Sequence, residues 1–87
     1  MEQNTSLINL TPVDSSTIAA IGHENNTLYV FFHKGTYYRY EDITSQQAES
    51  ILTAHSAGTK LFEIIKDKLF KKLSEKDPEF KRLKYDR

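Results

Sequence analysis

Apolar and aromatic residues are densest between Leu28 and Tyr40, in the run Leu-Tyr-Val-Phe-Phe-His-Lys-Gly-Thr-Tyr-Tyr-Arg-Tyr. Two such blocks on either side of Lys34-Gly35 predict a β-hairpin. The turn decides which side chains share a face, because a one-residue slip in register flips every side chain. A two-residue loop, Lys34-Gly35, groups Leu28, Val30 and Phe32 with Tyr37 and Arg39. A three-residue loop, His33-Lys34-Gly35, groups them with Tyr38 and Tyr40. The longer loop puts Gly35 at the left-handed position of a type I turn plus bulge, where glycine is favoured. It therefore predicts a core face of Leu28, Val30, Phe32, Tyr38 and Tyr40, and an opposite face of Tyr29, Phe31, Tyr37 and Arg39.

Upstream, Thr17 to His23 is rich in β-branched residues and alanine and predicts a first strand. Ile18 and Ile21 are three apart, so burying both on one face requires a bulge. Glu24-Asn25-Asn26 supplies a turn, since Asn tolerates positive φ. Residues 1–12 are polar with a few apolar positions and read as an irregular arm ending at Pro12. Downstream the period changes to helical. Thr44 and Gln47 form a capping-box pattern, with Ile43 before the cap. Ala48, Ile51, Leu52 and His55 then recur along one helical face. Ser56 or Thr59 caps a second helix, whose apolar stripe runs Leu61, Phe62, Ile64, Ile65, Leu69, Phe70 and Leu73. Asp77-Pro78-Glu79 has the grammar of a helix restart.

These elements predict one α+β domain: a three-stranded antiparallel β-meander followed by two helices packed on one face. An arm (residues 1–11) precedes this domain (residues 12–73), and a basic helical C-terminal tail (residues 74–87) follows it. Eighty-seven residues suffice for one two-layer core. Net charge is zero, so no global basic field attracts nucleic acid. The charge is unevenly distributed, however: residues 1–57 carry two basic and six acidic side chains, and residues 58–87 carry ten and six. With no cysteine, disulfides and thiolate chemistry are excluded. No secretory signal or membrane-length apolar run is present, so a cytoplasmic protein without membrane association is expected.

Candidate chemistry centres on three groups. Tyr29, Phe31 and Tyr37, with Arg39 beside them, suit base stacking and phosphate contact. The same face equally suits cover by Leu7, Ile8 and Leu10 of the arm, or a homo-oligomer interface. Ser56, Gly58, Thr59 and Lys60 surround a helix N-terminus, where free N–H groups favour an anion; ordinary capping explains these residues as well. They do not form a P-loop, because that spacing is absent. The basic residues from Lys60 to Lys84 suit a phosphate backbone, but the interspersed carboxylates suit a solvated helix with i,i+4 pairs. Tyr38 and Tyr40 fall on the core face, and Tyr40 can also serve a site from its rim. His23, His33 and His55 lack metal-ligand spacing. Nothing supplies a nucleophile with a base, so neither an enzyme nor a cofactor is expected.

The residues also carry a pattern: Ser15-Ser16, Ile18 and Ile21-Gly22, then Leu28, Val30, Phe32, Gly35 and Tyr38-Arg39-Tyr40. It continues through Ile43, Ala54-His55-Ser56-Ala57-Gly58, Phe62 and Ile65. This order and spacing resembles the KTSC domain, a family named for its occurrence at the C-terminus of some lysyl-tRNA synthetases, over about residues 12–70. His23 stands where that family usually has an aromatic, and Glu63 where it usually has Asn. The resemblance implies a small α+β fold, bacterial or phage origin and no established activity; an RNA-binding role has been suggested from the synthetase context.

The leading expectation is a non-catalytic module binding RNA or another nucleic acid through Tyr29, Phe31, Tyr37 and Arg39, with Lys60 and the basic helix on phosphate. The alternatives are capture of a small phosphorylated or nucleotide-like ligand, and self-association or another protein interaction. The ligand alternative draws on the same aromatics with the Ser56–Lys60 terminus.

Overall fold

A computed structural model describes residues 7–85, so expectations for residues 1–6 and 86–87 lie outside the described residues. The predicted meander forms the centre of a larger sheet. Its strands are β2 (Ile18–Glu24), β3 (Thr27–Phe32) and β4 (Tyr37–Glu41). The β2–β3 turn uses Asn25 and Asn26 at φ 51° and 59°, the left-handed pair that a two-residue hairpin requires. The β3–β4 loop has three residues. Phe32 N–H donates to Thr36 O (2.9 Å), and Gly35 sits at φ 100° while its N–H donates to Phe32 O (2.9 Å). Val30 therefore opposes Tyr38 and Leu28 opposes Tyr40. The register of β2 shifts between Ile18 and Ala20, so that both Ile18 and Ile21 enter the same core.

Three further strands correct the expected three-stranded sheet. β1 (Ile8–Pro12) is antiparallel to β2, where an irregular arm was expected. Residues Phe70–Leu73 form β5, antiparallel to β4. β6 (Leu83–Tyr85) runs parallel to β1, and the complete order is β5-β4-β3-β2-β1-β6. Two helices pack on one face, which we call the front: α1 (Ser45–Leu52) and α2 (Ala57–Ile65). The capping box of α1 forms in full, with Gln47 N–H donating to Thr44 Oγ1 and Thr44 N–H to Gln47 Oε1. Ser56 is the cap of α2.

The second helix is shorter than its apolar stripe predicts. It stops at Ile65, and Lys68 N–H closes a turn onto Ile65 O (2.9 Å). The backbone then pairs with the otherwise open edge of β4, beginning with Glu41 N–H to Leu69 O (3.0 Å). Pairing along the open sheet edge overrides the helical periodicity here, as tertiary context routinely does with local propensity. The tail is likewise not a long basic helix. It contains one 3₁₀ segment, Pro78–Arg82, before β6.

The sheet separates two apolar clusters. Ile18, Ile21, Leu28, Val30, Phe32 and Tyr40 meet Ile43, Ala48, Ile51, Ala57 and Leu61 on the front. On the back, Ile8, Leu10, Ala20, Tyr29 and Leu73 pack with Phe31, Tyr37, Phe80, Leu83 and Tyr85. Among the described residues, no helix is long and apolar enough to cross a membrane.

Candidate functional site

Alternation along β3 and β4 sends five of the nine sequence-predicted site residues in two directions, and the other four, Ser56, Gly58, Thr59 and Lys60, stand at the start of α2. Tyr29, Phe31, Tyr37 and Arg39 point to the back, where the chain itself covers them. Tyr29 is only 4% exposed. Phe31 and Tyr37 stack with ring centroids 4.3 Å apart; Tyr85 lies 5.2 Å from Phe31, and Phe80 meets Tyr37 edge-on at 5.2 Å. Ile8 and Leu10 of the arm supply part of the cover, and Phe80, Leu83 and Tyr85 of the C-terminal segment supply the rest, which the sequence did not announce.

Two arginine pairs fasten that segment. Arg39 donates from Nη1 to Glu79 (2.5 Å) and from Nη2 to Glu41 (3.3 Å), and Arg82 Nη2 donates to Glu24 (2.5 Å). The Glu24 carboxylate raises the Arg82 pKa further, chiefly through this hydrogen bond. Burial raises the hydroxyl pKa of Tyr29 and of Tyr37. Arg39 is therefore a structural latch, committed to carboxylates on its own chain.

Tyr40, Ser56, Gly58 and Thr59 lie on the front. A cavity of about 500 Å³ is bounded by the hairpin tip (His33, Lys34), the sheet aromatics Phe32, Tyr38 and Tyr40, and Phe62 of α2. A second cavity, about 510 Å³, is bounded by the Asp14–Thr17 loop and the start of α2 from His55 to Thr59. Ser16, Thr17 and Phe62 belong to both, so the two form one groove with Phe62 between its halves. Phe62 is 51% exposed, because Leu61 takes the core position of that helical turn. Lys60, the fourth residue of the predicted anion site, does not line either half of the groove, and its Nζ is 3.8 Å from Glu63.

The groove is held by backbone-directed hydrogen bonds. Ser15 Oγ accepts from Thr17 N–H and Ile18 N–H, both at 3.1 Å, fixing the loop before β2. His33 Nε2–H donates to Ser15 O (2.8 Å), and His33 N–H donates to Thr17 O (3.0 Å). These bonds tie the hairpin tip to the loop. At the other end Thr59 N–H donates to Ser56 Oγ (3.4 Å), leaving the first N–H groups of α2 near the hydroxyl-rich half. Burial pushes the Tyr40 hydroxyl up to about 12, so it remains a neutral donor across ordinary pH.

Position in the fold gives the three motif glycines different meanings. Gly35 needs its positive φ. A Cβ on Gly22 would lie 2.8 Å from Asn9 O and 2.8 Å from Leu10 Cδ2, so the close approach of β1 requires glycine there. Gly58 has no such reason. A Cβ there would meet only Ser15 Oγ, at an ordinary 3.7 Å.

Reasoning from the sequence assigned Ser16, Thr17, Lys34 and Phe62 no site role; the signal for Ser16 and Phe62 was membership in the Ser-Ser to aromatic pattern, which converges here. The basic residues do not form a continuous track. Lys68 pairs with Asp42 (3.4 Å), Lys71 with Asp77 (2.6 Å) and Arg82 with Glu24. Among the described residues, no group of three or more His, Asp or Glu side chains is arranged to hold a metal ion.

No match was found among curated proteins. Among solved structures, the chain is similar to the crystal structure of a KTSC domain protein from Yersinia pestis. The identity is 29% and the TM-score 0.68, covering 75% of this chain and 96% of that one. The family model described as KTSC domain matches residues 14–70, which include both halves of the front groove and end where β5 begins. By that match the chain belongs to the KTSC domain family.

Proposed function

We propose that this protein is a non-catalytic module that captures a nucleotide-like ligand in the front groove. An aromatic base packs against Phe62 and Tyr38, and its phosphate meets the first turn of α2 beside Ser56, Gly58 and Thr59. The observation that carries this reading is Gly58. Glycine in a helix interior costs roughly 0.5–1 kcal/mol relative to alanine, an upper bound for Gly58 in the first turn of α2, and here neither φ nor packing demands it. A ligand approaching the helix backbone does. Exposed hydroxyls, a helix N-terminus and an exposed ring within one groove match the chemistry of a phosphorylated aromatic molecule.

This reading takes the small-ligand alternative in preference to nucleic-acid binding by the back-face aromatics. Tyr29, Phe31 and Tyr37 would have to lose Phe80, Leu83 and Tyr85 before a base could reach them.

Calorimetric titration with nucleoside monophosphates and with inorganic phosphate tests the proposal, alongside melting curves. A ligand at a hundredfold excess over its Kd should add about 2.7 kcal/mol of stability. Phe62→Ala should abolish that gain while changing the unliganded melting temperature little, because half the ring is already solvated. A flat response to every nucleotide would overturn the proposal.

A further inference from the structure

We propose, resting on the nucleotide reading above, that the natural ligand is a single-stranded nucleic acid of two or more nucleotides. Its second base stacks on Phe70, at the β5 edge of the sheet. Phe70 is 65% exposed and its neighbour Leu69 is 75% exposed. The ring does not stand alone: its centroid is 6.1 Å from Tyr38 and 6.1 Å from Tyr40, which stack on each other at 6.2 Å. Tyr38 also lines the groove with Phe62. An aromatic platform therefore runs continuously from the groove to the open edge.

Two lysines on this face suit a nucleic-acid backbone, while the carboxylates of Glu41, Asp42 and Asp67 lie around its Leu69 end. Lys72 opposes Tyr38 in the β4–β5 register and shares the front face with Phe70. Lys34 lines the groove at its hairpin end. Neither lysine takes part in an ion pair among the described residues, whereas Lys60, Lys68 and Lys71 each pair with a carboxylate. Two uncompensated cations beside two exposed rings suit successive phosphates and bases, since stacking on aromatics tolerates any base.

A polypeptide suits the edge less well. β5 has four residues, and the carbonyl of Leu69 already serves β4, so Phe70 and Lys72 alone turn their backbone outward. A short edge bearing lysine opposes strand addition, and a second copy would bring Lys72 towards its equivalent.

The test is fluorescence anisotropy with labelled hexauridylate RNA, competed by uridine monophosphate, at two salt concentrations. Wild type should bind the hexamer at least about tenfold more tightly than the mononucleotide. Phe70→Ala should remove about tenfold of hexamer affinity and leave the mononucleotide unchanged, while Phe70→Tyr retains a stacking ring and stays close to wild type. Lys72→Gln should lower the salt slope by about 0.7. Mononucleotide binding with hexamer affinity insensitive to Phe70→Ala would overturn this inference alone. Failure of the mononucleotide to bind would remove the reading beneath it. Sedimentation showing a dimer that Phe70→Ala dissociates, without RNA binding, would overturn it in favour of self-association.

Discussion

Replacing Gly22 with alanine tests the fold where β1 crosses closest to β2. The added methyl points to the back of the sheet, the side taken by Ala20 and Tyr29. It would meet Asn9 O and Leu10 Cδ2 at 2.8 Å and Ile8 Cγ2 at 3.3 Å. Leu10 is buried and cannot swing into solvent, and the carbonyl belongs to the backbone of β1. That strand is held from both sides, with Thr11 opposite Ile21 on β2 and Asn9 opposite Lys84 on β6. Relief therefore requires β1 to withdraw and loosen the back cluster. Overpacking of this kind costs typically 1–3 kcal/mol, and a clash with backbone belongs at the upper end, about 3 kcal/mol. Removing glycine's extra freedom in the unfolded chain returns about 0.5–1 kcal/mol. The net loss is about 2 kcal/mol, or a fall in Tm of roughly 8–16 °C for a chain of this size.

Urea unfolding followed by circular dichroism measures it directly. The midpoint should fall with the slope against denaturant unchanged, indicating lost stability with no change in the surface exposed. Hydrogen exchange should quicken first in β1 and β6. A Gly22→Ala protein within about 0.5 kcal/mol of wild type would refute the reasoning, because the carbonyl of Asn9 would then be free to move.

Two further outcomes follow from the back face and the tyrosines. Deleting residues 78–87 removes Phe80, Leu83 and Tyr85 and both arginine latches; at roughly 1 kcal/mol for each half-buried side chain, denaturation should show a loss of about 3 kcal/mol or more, with new binding of a hydrophobic dye. In an alkaline spectrophotometric titration, Tyr29 and Tyr37 should ionise above the ordinary value of 10.0 and Tyr40 near 12. The unfolded chain loses these protons first, so stability is fully present below pH 10 and falls as pH rises towards 12; an alkaline-stable fold with ordinary tyrosine titration would contradict their burial.

Local patterns carried the centre of this fold. Gly35 and the alternation on either side of it specified the β3–β4 register, and the Ile18–Ile21 spacing required the observed bulge. Thr44 and Gln47 marked the start of α1. The rest of the fold is nonlocal. Leu69, Phe70 and Leu73 continue the helical stripe of α2, and only the vacant edge of β4 makes them a strand. Ile8, Leu10 and Leu83 show too short an alternation to announce strands, and they form by pairing across the full length of the chain. The site followed the same division. The aromatic face was legible as a set, and so was the arm as a cover for it, but the rest of the cover, the C-terminal segment, lies some forty residues away, as the Arg39–Glu79 pair shows. Ser16, Gly58 and Phe62 come from three elements, so spacing alone could not unite them.

The central claim is that Gly58 is kept for a ligand and not for the fold. Gly58→Ala therefore separates the two. Its methyl has room and joins a helix, so urea unfolding should show an unchanged or more stable protein, by up to about 1 kcal/mol. Calorimetric titration of the same protein with a nucleoside monophosphate bound by wild type should show affinity reduced tenfold or more, since the methyl occupies the phosphate's approach to α2. Greater stability with unchanged nucleotide affinity would contradict the account.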